Sequence, residues 1–223
     1  MDEKEKREMQ LPETFRLLTA FPASRIFGGD RGKPVDRYYI ESFLAAKREW
    51  IRGDVLEIGG REYTKKFGAG NVARSLMMAV HDGQPKPDIV ANLETGSGIV
   101  ENLADCFIMT QTLLCIFDVF SAAGNALKIL KPGGTLLLTV PGITQISRYD
   151  YQRWGQYWSF NDQAVGRLFS SLVAPEKVAV STYGNVKSAA AFLYGLAAQE
   201  LTADDLEFSD PDYQLVIAAV VKK

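Results

Sequence analysis

The sequence predicts an α/β protein built on one seven-stranded, mainly parallel, doubly wound sheet with helices on both faces. Short apolar runs alternate along the chain with helical patterns, which is typical of parallel strands covered on both sides. The length of 223 residues suits one large domain better than two. The composition, 47% hydrophobic and 23% charged, is that of an ordinary globular protein.

The predicted elements follow in order along the chain. Seven short apolar segments are predicted strands, although the second is equally compatible with a passage from helix to strand. The strand segments are 54–59, 74–80, 87–93, 104–112, 134–142, 176–184 and 213–223. The helical segments are 35–50, 118–130, 161–173 and 186–201. Asp36 and Asn161 are the candidate N-caps of the first and third helices.

The chain divides into an N-terminal extension, residues 1–34, and a single domain, residues 35–223. The first ten residues are dense in charge and predict a solvated, disordered start. Residues 20–34 carry many turn formers and predict a loop that wraps the domain.

Composition excludes several function classes. The net charge of −2 gives no argument for nucleic-acid binding. No apolar run is long enough to span a membrane, and the charged start lacks a signal core, so we expect a cytoplasmic protein. Cys106 and Cys115 lie in apolar surroundings and are expected to be buried free thiols. With His81 as the one histidine, a zinc site is excluded, and we predict a metal-independent protein.

The segment "DVLEIGGREYTKKFGAG", residues 54–70, reads as a strand that runs into a ligand-binding turn. Gly59 and Gly60 allow the backbone to turn tightly and approach a ligand closely. Ligands of open α/β sheets bind beyond the carboxyl ends of the strands. The glycine spacing matches neither the dinucleotide fingerprint nor a P-loop, which argues against a nicotinamide-dependent oxidoreductase. What distinguishes the turn is an acid, Glu57, two residues before the first glycine.

Several segments together resemble the class I S-adenosylmethionine-dependent methyltransferases. They are "VLEIGG", "PDIVANLE", "DCFIMTQTL", "ALKILKPGGTLLLTVPG" and "YWSF". The resemblance covers roughly residues 35–223 and implies a sheet whose last strand is antiparallel. "RGKPVDRYYIESFL" and "GITQISRYDYQRWGQYWSF" resemble a bacterial branch associated with sugar, polysaccharide or secondary-metabolite biosynthesis. The chain departs from the pattern at Arg61, where the turn usually has glycine, and at Leu114, where the branch often has histidine.

The resemblance implies S-adenosylmethionine as the cofactor and S-adenosylhomocysteine as its product. Glu57, Gly59 and Gly60 are then expected beside the methionine part, because a carboxylate complements an ammonium and a sulfonium. The less favoured alternative for Glu57 is a purely structural role at the strand end. Asp82 is the candidate partner of the ribose hydroxyls, and a plain turn aspartate is almost as well supported.

The same resemblance assigns residues after the third and fourth strands. Asn92 and Leu93 are expected to flank the adenine, since an amide suits a purine edge, although a loop asparagine is an equal alternative. Thr110 and Gln111 are candidates for backbone contacts with the cofactor and for the floor of the cleft.

The segment "PGITQISRYDYQRWGQYWSF", residues 141–160, is unusually aromatic and follows the fifth strand. We favour a role in substrate binding over a hydrophobic flap, since aromatic faces stack on sugar rings and hold cations. The predicted substrate-binding residues here are Arg148, Trp154, Tyr157 and Trp158. Near the N-terminus, Tyr38 is predicted to contact the cofactor and Arg37 the substrate; an ordinary amphipathic helix is the equal alternative.

These residues predict in-line methylation of a hydroxyl on a sugar, a glycoconjugate or a small metabolite, in a role in carbohydrate biosynthesis. The single histidine is badly placed for a general base, so Asp150 beside Tyr149 is the predicted catalytic pair. The alternatives are N-methylation of an amino sugar or small amine, and a non-catalytic protein that kept the fold. The helix at 186–201 could form a homodimer contact, but packing on the sheet is favoured.

Overall fold

The computed structural model describes residues 19–223, and the charged start predicted for residues 1–10 lies outside them. The strands are β1 (Gly53–Ile58), β2 (Val72–Ala79), β3 (Ile89–Val90), β4 (Ala104–Thr110), β5 (Leu130–Pro141), β6 (Val178–Tyr183) and β7 (Val216–Lys222). The α-helices in this part of the chain are α1 (Val35–Ala46), α2 (Glu62–Phe67), α3 (Val119–Ile129), α4 (Arg148–Arg153), α5 (Asp162–Ser170), α6 (Val186–Tyr194) and α7 (Ala203–Glu207).

The seven strands form one sheet in the order β3-β2-β1-β4-β5-β7-β6. Strand β7 runs antiparallel to both β5 and β6, and the remaining pairs are parallel. This confirms the predicted seven-stranded, mainly parallel sheet with an antiparallel last strand. The chain passes outward from β1 to β3 and then returns to the other side of β1 as β4. The strand order therefore reverses between β1 and β4, where ligands bind in sheets of this kind.

Alternate residues of the central strands enter two hydrophobic cores, one on each face of the sheet. In β5, Leu136 and Leu138 pack in the core that includes α3 and α5, whereas Leu137 packs in the core that includes α1 and α6. In β7, Ile217 and Ala218 divide between the two cores in the same way. Burial on both faces explains why these strands are continuously apolar in the sequence.

The helix boundaries confirm one predicted cap and correct the other. The side chain of Asn161 accepts a hydrogen bond from the Ala164 N–H and caps α5 as predicted. The prediction that Asp36 caps α1 is wrong, because Pro34 occupies the N-cap position and no side chain caps this helix. Asp36 is instead the second residue of α1, and its carboxylate accepts a hydrogen bond from the Arg37 N–H at 2.6 Å.

Other predicted elements are shorter in the structure. The third strand shrinks to two residues because the chain turns at Asn92, whose side-chain oxygen accepts from the Glu94 N–H at 2.8 Å. The predicted helix over 186–201 ends at Tyr194, since Gly195 adopts the left-handed conformation with φ of +72°. The ambiguous second segment is the strand β2. Helices α2, α4 and α7 are not predicted by the sequence pattern because each has only five or six residues.

The segment before α1 packs on α6. The N–H groups of Ala23 and Ser24 donate to the Tyr194 carbonyl at 2.8 and 3.3 Å. The ring of Phe27 stacks on Phe192 with centroids 5.5 Å apart. These contacts hold the segment beside the end of the sheet that carries the cleft described next.

Candidate functional site

A cleft of about 510 Å³ lies beyond the carboxyl ends of β1 and β4, at the point where the strand order reverses. The turn after β1, the ends of β4 and β5, the start of α1 and the segment before α1 form its walls. Seven of the sequence-predicted site residues line it: Arg37, Glu57, Gly59, Gly60, Thr110, Gln111 and Asp150. The sheet topology brings these residues together from four separate parts of the chain.

The glycine turn after β1 leaves open space for a ligand. Gly59 has φ of +74°, and a Cβ placed on it would meet no atom within 4 Å. The left-handed backbone favours glycine here, and the space beside it belongs to the cleft. At Gly60 a Cβ would collide with the carboxylate of Glu62, which folds back over the turn. The backbone conformation therefore favours glycine at the first position, whereas at the second a side chain would only require Glu62 to move.

Glu57 is only 3% exposed, and its carboxylate accepts three hydrogen bonds from the start of α2. The donors are the Tyr63 N–H at 3.1 Å, the Thr64 N–H at 2.8 Å and the Thr64 hydroxyl at 2.8 Å. The residue at the N-cap of α2, Arg61, provides no side-chain cap. Glu57 therefore caps α2 from the neighbouring strand while it also lines the cleft, so its structural role and its predicted binding role coexist.

Arg61, the departure from the family glycine pattern, turns away from the cleft. Its guanidinium donates to the Ser75 carbonyl at 3.2 Å and forms an ion pair with Asp88. The Met77 N–H, which donates to the same carboxylate at 2.7 Å, and then Arg61 hold the pKa of Asp88 below its usual value. Arg61 thus ties the turn to β2 and adds no bulk to the binding space.

Gln111, directly after β4, carries backbone strain at the wall of the cleft. Its φ is +47°, an uncommon value for a residue with a side chain, and such strain is often found at functional positions. The N–H of Gln111 donates to the Thr139 carbonyl at 2.8 Å, which fixes the residue against β5. Its side-chain nitrogen is buried with no hydrogen-bond partner among residues 19–223. A bound ligand would give this donor an acceptor.

Leu114 is part of the cleft wall, whereas the two cysteines are not among its lining residues. Leu114, in the place where related sequences often have histidine, lines the cleft and is 7% exposed. Cys106 is buried as predicted, and burial raises the pKa of its thiol to about 12. Cys115 is only partly buried; burial and then the charge of Asp150 raise the pKa of its thiol to about 11. Both thiols are therefore protonated at neutral pH and are poor nucleophiles.

The loop after β5 places Asp150 in the cleft. The side chain of Ser147 accepts from the Asp150 N–H at 3.3 Å and caps the short helix α4. Gln156 closes the loop, since its side chain accepts from the Ser147 N–H at 2.8 Å and donates to the Gln145 carbonyl at 3.3 Å. Gln145 in turn donates to the Arg25 carbonyl at 3.1 Å, which joins the loop to the segment before α1.

Five of the six aromatic residues of this loop lie on the surface and do not line the cleft, whereas Phe160 packs against the core. Their side chains pair with each other, as in the edge-on contact of Tyr149 with Trp154 at 5.8 Å. Tyr157 and Trp158 both pack on Phe117, which is 64% exposed. The exposed fractions of the other rings are 59% for Tyr149, 52% for Tyr151, 46% for Trp154, 52% for Tyr157 and 37% for Trp158. They form an exposed aromatic rim.

The two arginines of the loop also lie outside the cleft. The guanidinium of Arg153 stacks on the Tyr149 ring at 3.5 Å, and that of Arg148 lies over the Tyr151 ring at 5.6 Å. Both are cation–π contacts at the surface. Arg148, predicted to bind an acceptor, is therefore part of the rim.

Helix α1 contributes two charged side chains to the cleft and one aromatic ring behind it. Arg37 lines the cleft and lies over the Tyr63 ring at 5.6 Å. Tyr38 is not among the lining residues and packs edge-on against Tyr39 at 5.5 Å. Asp36 lines the cleft, and burial raises the pKa of its carboxyl group, opposed by the N–H and the charge of Arg37. The sequence pattern suggested only a helix cap for Asp36 and missed its position in the site.

The predicted ribose and adenine contacts do not line the cleft. Asp82 lies three residues beyond β2 in an exposed turn, where its carboxylate accepts from the Gly83 N–H at 3.1 Å. The Asn92 side-chain oxygen accepts from the N–H groups of Glu94 and Thr95 at 2.8 and 3.1 Å. Leu93 is 3% exposed and packs in the core. The Asn92 side chain thus stabilises the turn in which it lies.

The cleft carries an excess of negative charge. Among the described residues 19–223, its lining includes the carboxylates of Asp36, Glu57, Glu62 and Asp150 and one basic side chain, that of Arg37. Within residues 19–223, no three histidine, cysteine, aspartate or glutamate side chains form a group that could hold a metal ion. In the same part of the chain, no helix is both long enough and apolar enough to cross a membrane.

Comparison with known proteins establishes the fold. No protein-family model and no curated protein matches the chain. A SAM-dependent methyltransferase from Archaeoglobus fulgidus is similar in structure, with a TM-score of 0.51 and 12% identity over 84% of this chain and 94% of that one. The plantazolicin methyltransferase BamL, solved in complex with a triazolic desmethylPZN analog and SAH, gives a TM-score of 0.51 and 11% identity over 100% of this chain and 91% of that one. The chain has the class I methyltransferase fold.

Because the sequence identities are only 11% and 12%, these comparisons establish the fold and nothing beyond it. Within the class I methyltransferase fold, the turn after β1 and the end of β4 flank the switch point of the sheet, and both line the cleft. Function then depends on what the side chains of the cleft can bind, because one fold supports many chemistries.

Proposed function

We propose that the protein is an S-adenosylmethionine-dependent methyltransferase. The observation that carries the proposal is the cleft at the β1–β4 switch point of a class I methyltransferase fold, built from Glu57, the open turn at Gly59, and the strained Gln111. Ligands bind at this point in doubly wound sheets, and side-chain geometry there supports a bound cofactor.

The residues present fit this cofactor in charge and in hydrogen bonding. S-adenosylmethionine carries an ammonium and a sulfonium, which a cleft with an excess of carboxylates attracts. The buried side-chain nitrogen of Gln111 is a donor that still needs an acceptor. Gly59 permits close approach, as it has no side chain to occupy the space. When bound, the cofactor supplies an activated methyl group.

For the acceptor we propose a hydroxyl of a sugar, a glycoconjugate or a related small metabolite. The protein must hold the nucleophilic atom about 3 Å from the methyl carbon, in line with the bond that breaks. Asp150 lines the cleft and would accept the proton of the hydroxyl, with Tyr149 beside it on α4. The rim of exposed aromatic rings beside the cleft supports this acceptor class, because aromatic faces stack on sugar rings.

A second candidate reaction is N-methylation of an amino sugar or another small amine. The excess of carboxylates around the cleft favours it, because an amine approaches as a cation. An amine must lose a proton before it attacks, so Asp150 has the same role in both reactions.

Calorimetric titration with S-adenosylhomocysteine, with NADH as control, tests the cofactor. We expect micromolar binding of S-adenosylhomocysteine alone, which corresponds to about −8 kcal/mol. Failure of the purified, folded protein to bind it would favour a non-catalytic protein that retains the fold. Binding of NADH instead would favour an oxidoreductase.

The role of Asp150 is tested once an acceptor is found among sugars and small amines. The Asp150→Asn variant is expected to lower turnover by about 100-fold or more, since general base catalysis contributes factors of that order. Its affinity for S-adenosylhomocysteine should not change. Full turnover with an unaltered pH profile would remove Asp150 from the mechanism.

A further inference from the structure

Asp36 is a carboxylate in the wall of the cleft without a cation paired to it. It is the second residue of α1, partly buried, and lines the cleft. Among residues 19–223, no lysine or arginine lies within ion-pair distance of its carboxylate; the recorded hydrogen bond is the one from the Arg37 N–H. The Arg37 side chain itself lies over the Tyr63 ring.

Two other carboxylates of low exposure have evident partners, whereas Asp150, partly buried like Asp36, has no ion pair among residues 19–223. Glu41 pairs with Lys33 and Lys66, and Glu57 accepts three hydrogen bonds from α2. A carboxylate that is shielded from water without such partners costs free energy. Burial accordingly raises the pKa of Asp36, in contrast to the lowered pKa of Glu41. The fold gives this carboxylate a hydrogen bond from the Arg37 N–H and the nearby charge of Arg37, but no ion pair within residues 19–223.

The surroundings place Asp36 and Glu57 at one end of the cleft and Asp150 at another. Arg37, the residue after Asp36 in α1, lies over the Tyr63 ring at 5.6 Å, and the Tyr63 N–H donates to Glu57 at 3.1 Å. Asp150 belongs to α4, in the loop after β5. The end near Tyr63 adjoins the glycine turn after β1, where the methionine part of the cofactor is expected. The end near Asp150 is formed by the loop after β5, where the acceptor is expected.

We propose that Asp36 is the residue that binds the ammonium group of the cofactor's methionine part. The inference rests on the proposed function, since it assigns a role toward S-adenosylmethionine. Glu57 is less able to fill this role, because three of the roughly four lone-pair sites of its carboxylate already serve α2. The ammonium would give Asp36 the cationic partner that the folded chain does not.

Calorimetry with two ligands tests the assignment. The ligands are S-adenosylhomocysteine and its analogue in which hydrogen replaces the α-amino group. For the wild-type protein we expect the analogue to bind about 10- to 100-fold more weakly, as a charge-assisted hydrogen bond is lost. The Asp36→Asn variant should bind S-adenosylhomocysteine more weakly by a similar factor, yet bind the analogue as the wild-type protein does. Glu176→Gln, an exposed change outside the cleft, is the control and should bind S-adenosylhomocysteine normally.

Each other outcome has a distinct meaning. Unchanged affinity of Asp36→Asn for S-adenosylhomocysteine would overturn the assignment. An equal loss of affinity for both ligands would overturn it too, because such a loss indicates a structural defect in the variant. Thermal unfolding of the variant separates misfolding from lost contact, and Asp36→Ser repeats the test with a smaller side chain. If the wild-type protein binds neither ligand, the proposed function itself is wrong. That outcome differs from failure of the Asp36 assignment, in which the wild-type protein still binds S-adenosylhomocysteine.

Discussion

At the scale of single residues, Gly59 and Gly70 share one backbone conformation but differ in position. Their φ values are +74° and +78°, and a Cβ on either would meet no atom within 4 Å. Only Gly59 lines the cleft. The pair therefore separates the cost of a left-handed backbone from the cost of filling the binding space.

We predict that Gly59→Ala and Gly70→Ala each lower the free energy of unfolding by about 1–2 kcal/mol, the cost of the left-handed conformation for a residue with a Cβ. Gly59→Ala should in addition weaken S-adenosylhomocysteine binding at least tenfold, while Gly70→Ala should not. Urea denaturation and calorimetry measure the two effects. Equal affinities in both variants would show that the turn does not contact the ligand.

Asp36 gives a second prediction, on stability and pH. Its pKa in the folded protein is raised above the ordinary value of 3.8, chiefly by burial. A carboxyl group whose pKa is raised on folding makes its full contribution to stability when the pH is below its unfolded pKa. That contribution is lost as the pH rises through the pKa of the folded state. Asp36→Asn should therefore be more stable than the wild-type protein at pH 7, and the difference should vanish below about pH 4.

Urea denaturation of both proteins between pH 3 and pH 7 measures this difference. Asp150→Asn serves as the control at the other end of the cleft. A wild-type protein more stable than Asp36→Asn at pH 7 would mean that the carboxylate has a stabilising partner, which contradicts the unpaired charge on which the ammonium assignment is based.

At the scale of elements, Glu57 connects β1 to α2. Its carboxylate replaces the missing N-cap of this six-residue helix. Glu57→Gln should lower the free energy of unfolding by about 1–3 kcal/mol, because an amide nitrogen cannot accept the hydrogen bonds that the second carboxylate oxygen accepts. Urea denaturation measures the change, with the exposed Glu176→Gln as a control that should stay within 0.5 kcal/mol, as is typical of surface substitutions.

The loop after β5 is held by the side chain of Gln156, which joins residues 145 and 147 through two hydrogen bonds. Gln156→Ala should free the loop and let trypsin cleave after Arg148 and Arg153 several-fold faster. Gln152→Ala, an exposed change in the same loop, should leave the cleavage rate unchanged. Equal rates in the two variants would show that capping by Ser147 suffices to hold the loop.

At the scale of the whole molecule, ion pairs connect elements at its edges. Arg31 pairs with Glu200, joining the segment before α1 to the chain after α6, and Lys187 pairs with Asp205 to join α6 to α7. These partners lower the pKa of Glu200 to about 2 and, with help from Thr202, the pKa of Asp205 to about 2. Each pair joins segments that lie outside the sheet itself.

We predict acid destabilisation from these pairs. A carboxyl group with a lowered folded pKa stabilises the fold above its unfolded pKa, and this contribution is lost as the pH falls through the folded value. The urea concentration at the midpoint of unfolding should therefore decrease as the pH is lowered from about 4.5 to about 2. Arg31→Gln should flatten the profile in this window, since the pKa of Glu200 is then lowered only by the hydrogen bond from the Ala197 N–H. A profile with the wild-type slope would assign the acid sensitivity to other groups.

The sequence was informative where local pattern decides the structure. Apolar runs bounded by turn formers located six of the seven strands closely, and the asparagine before α5 identified its cap. The pattern was weakest where a turn competes with a strand, as at Asn92, and where a helix has only one or two turns, as in α2 and α4. Such short helices lack the length over which a helical period is visible.

The sequence by itself determined the alternation of strands and helices and the glycine turn that follows Glu57, because these depend on residues adjacent in the chain. Only the tertiary structure decided that Asp36, Gln111 and Asp150 meet at one cleft, that Glu57 caps a helix, and that Phe117 is exposed. The physical reason is that strand order sets which distant segments become neighbours. These neighbours determine the burial, the hydrogen-bond partners and the pKa of each side chain. None of these properties can be predicted from the local sequence pattern.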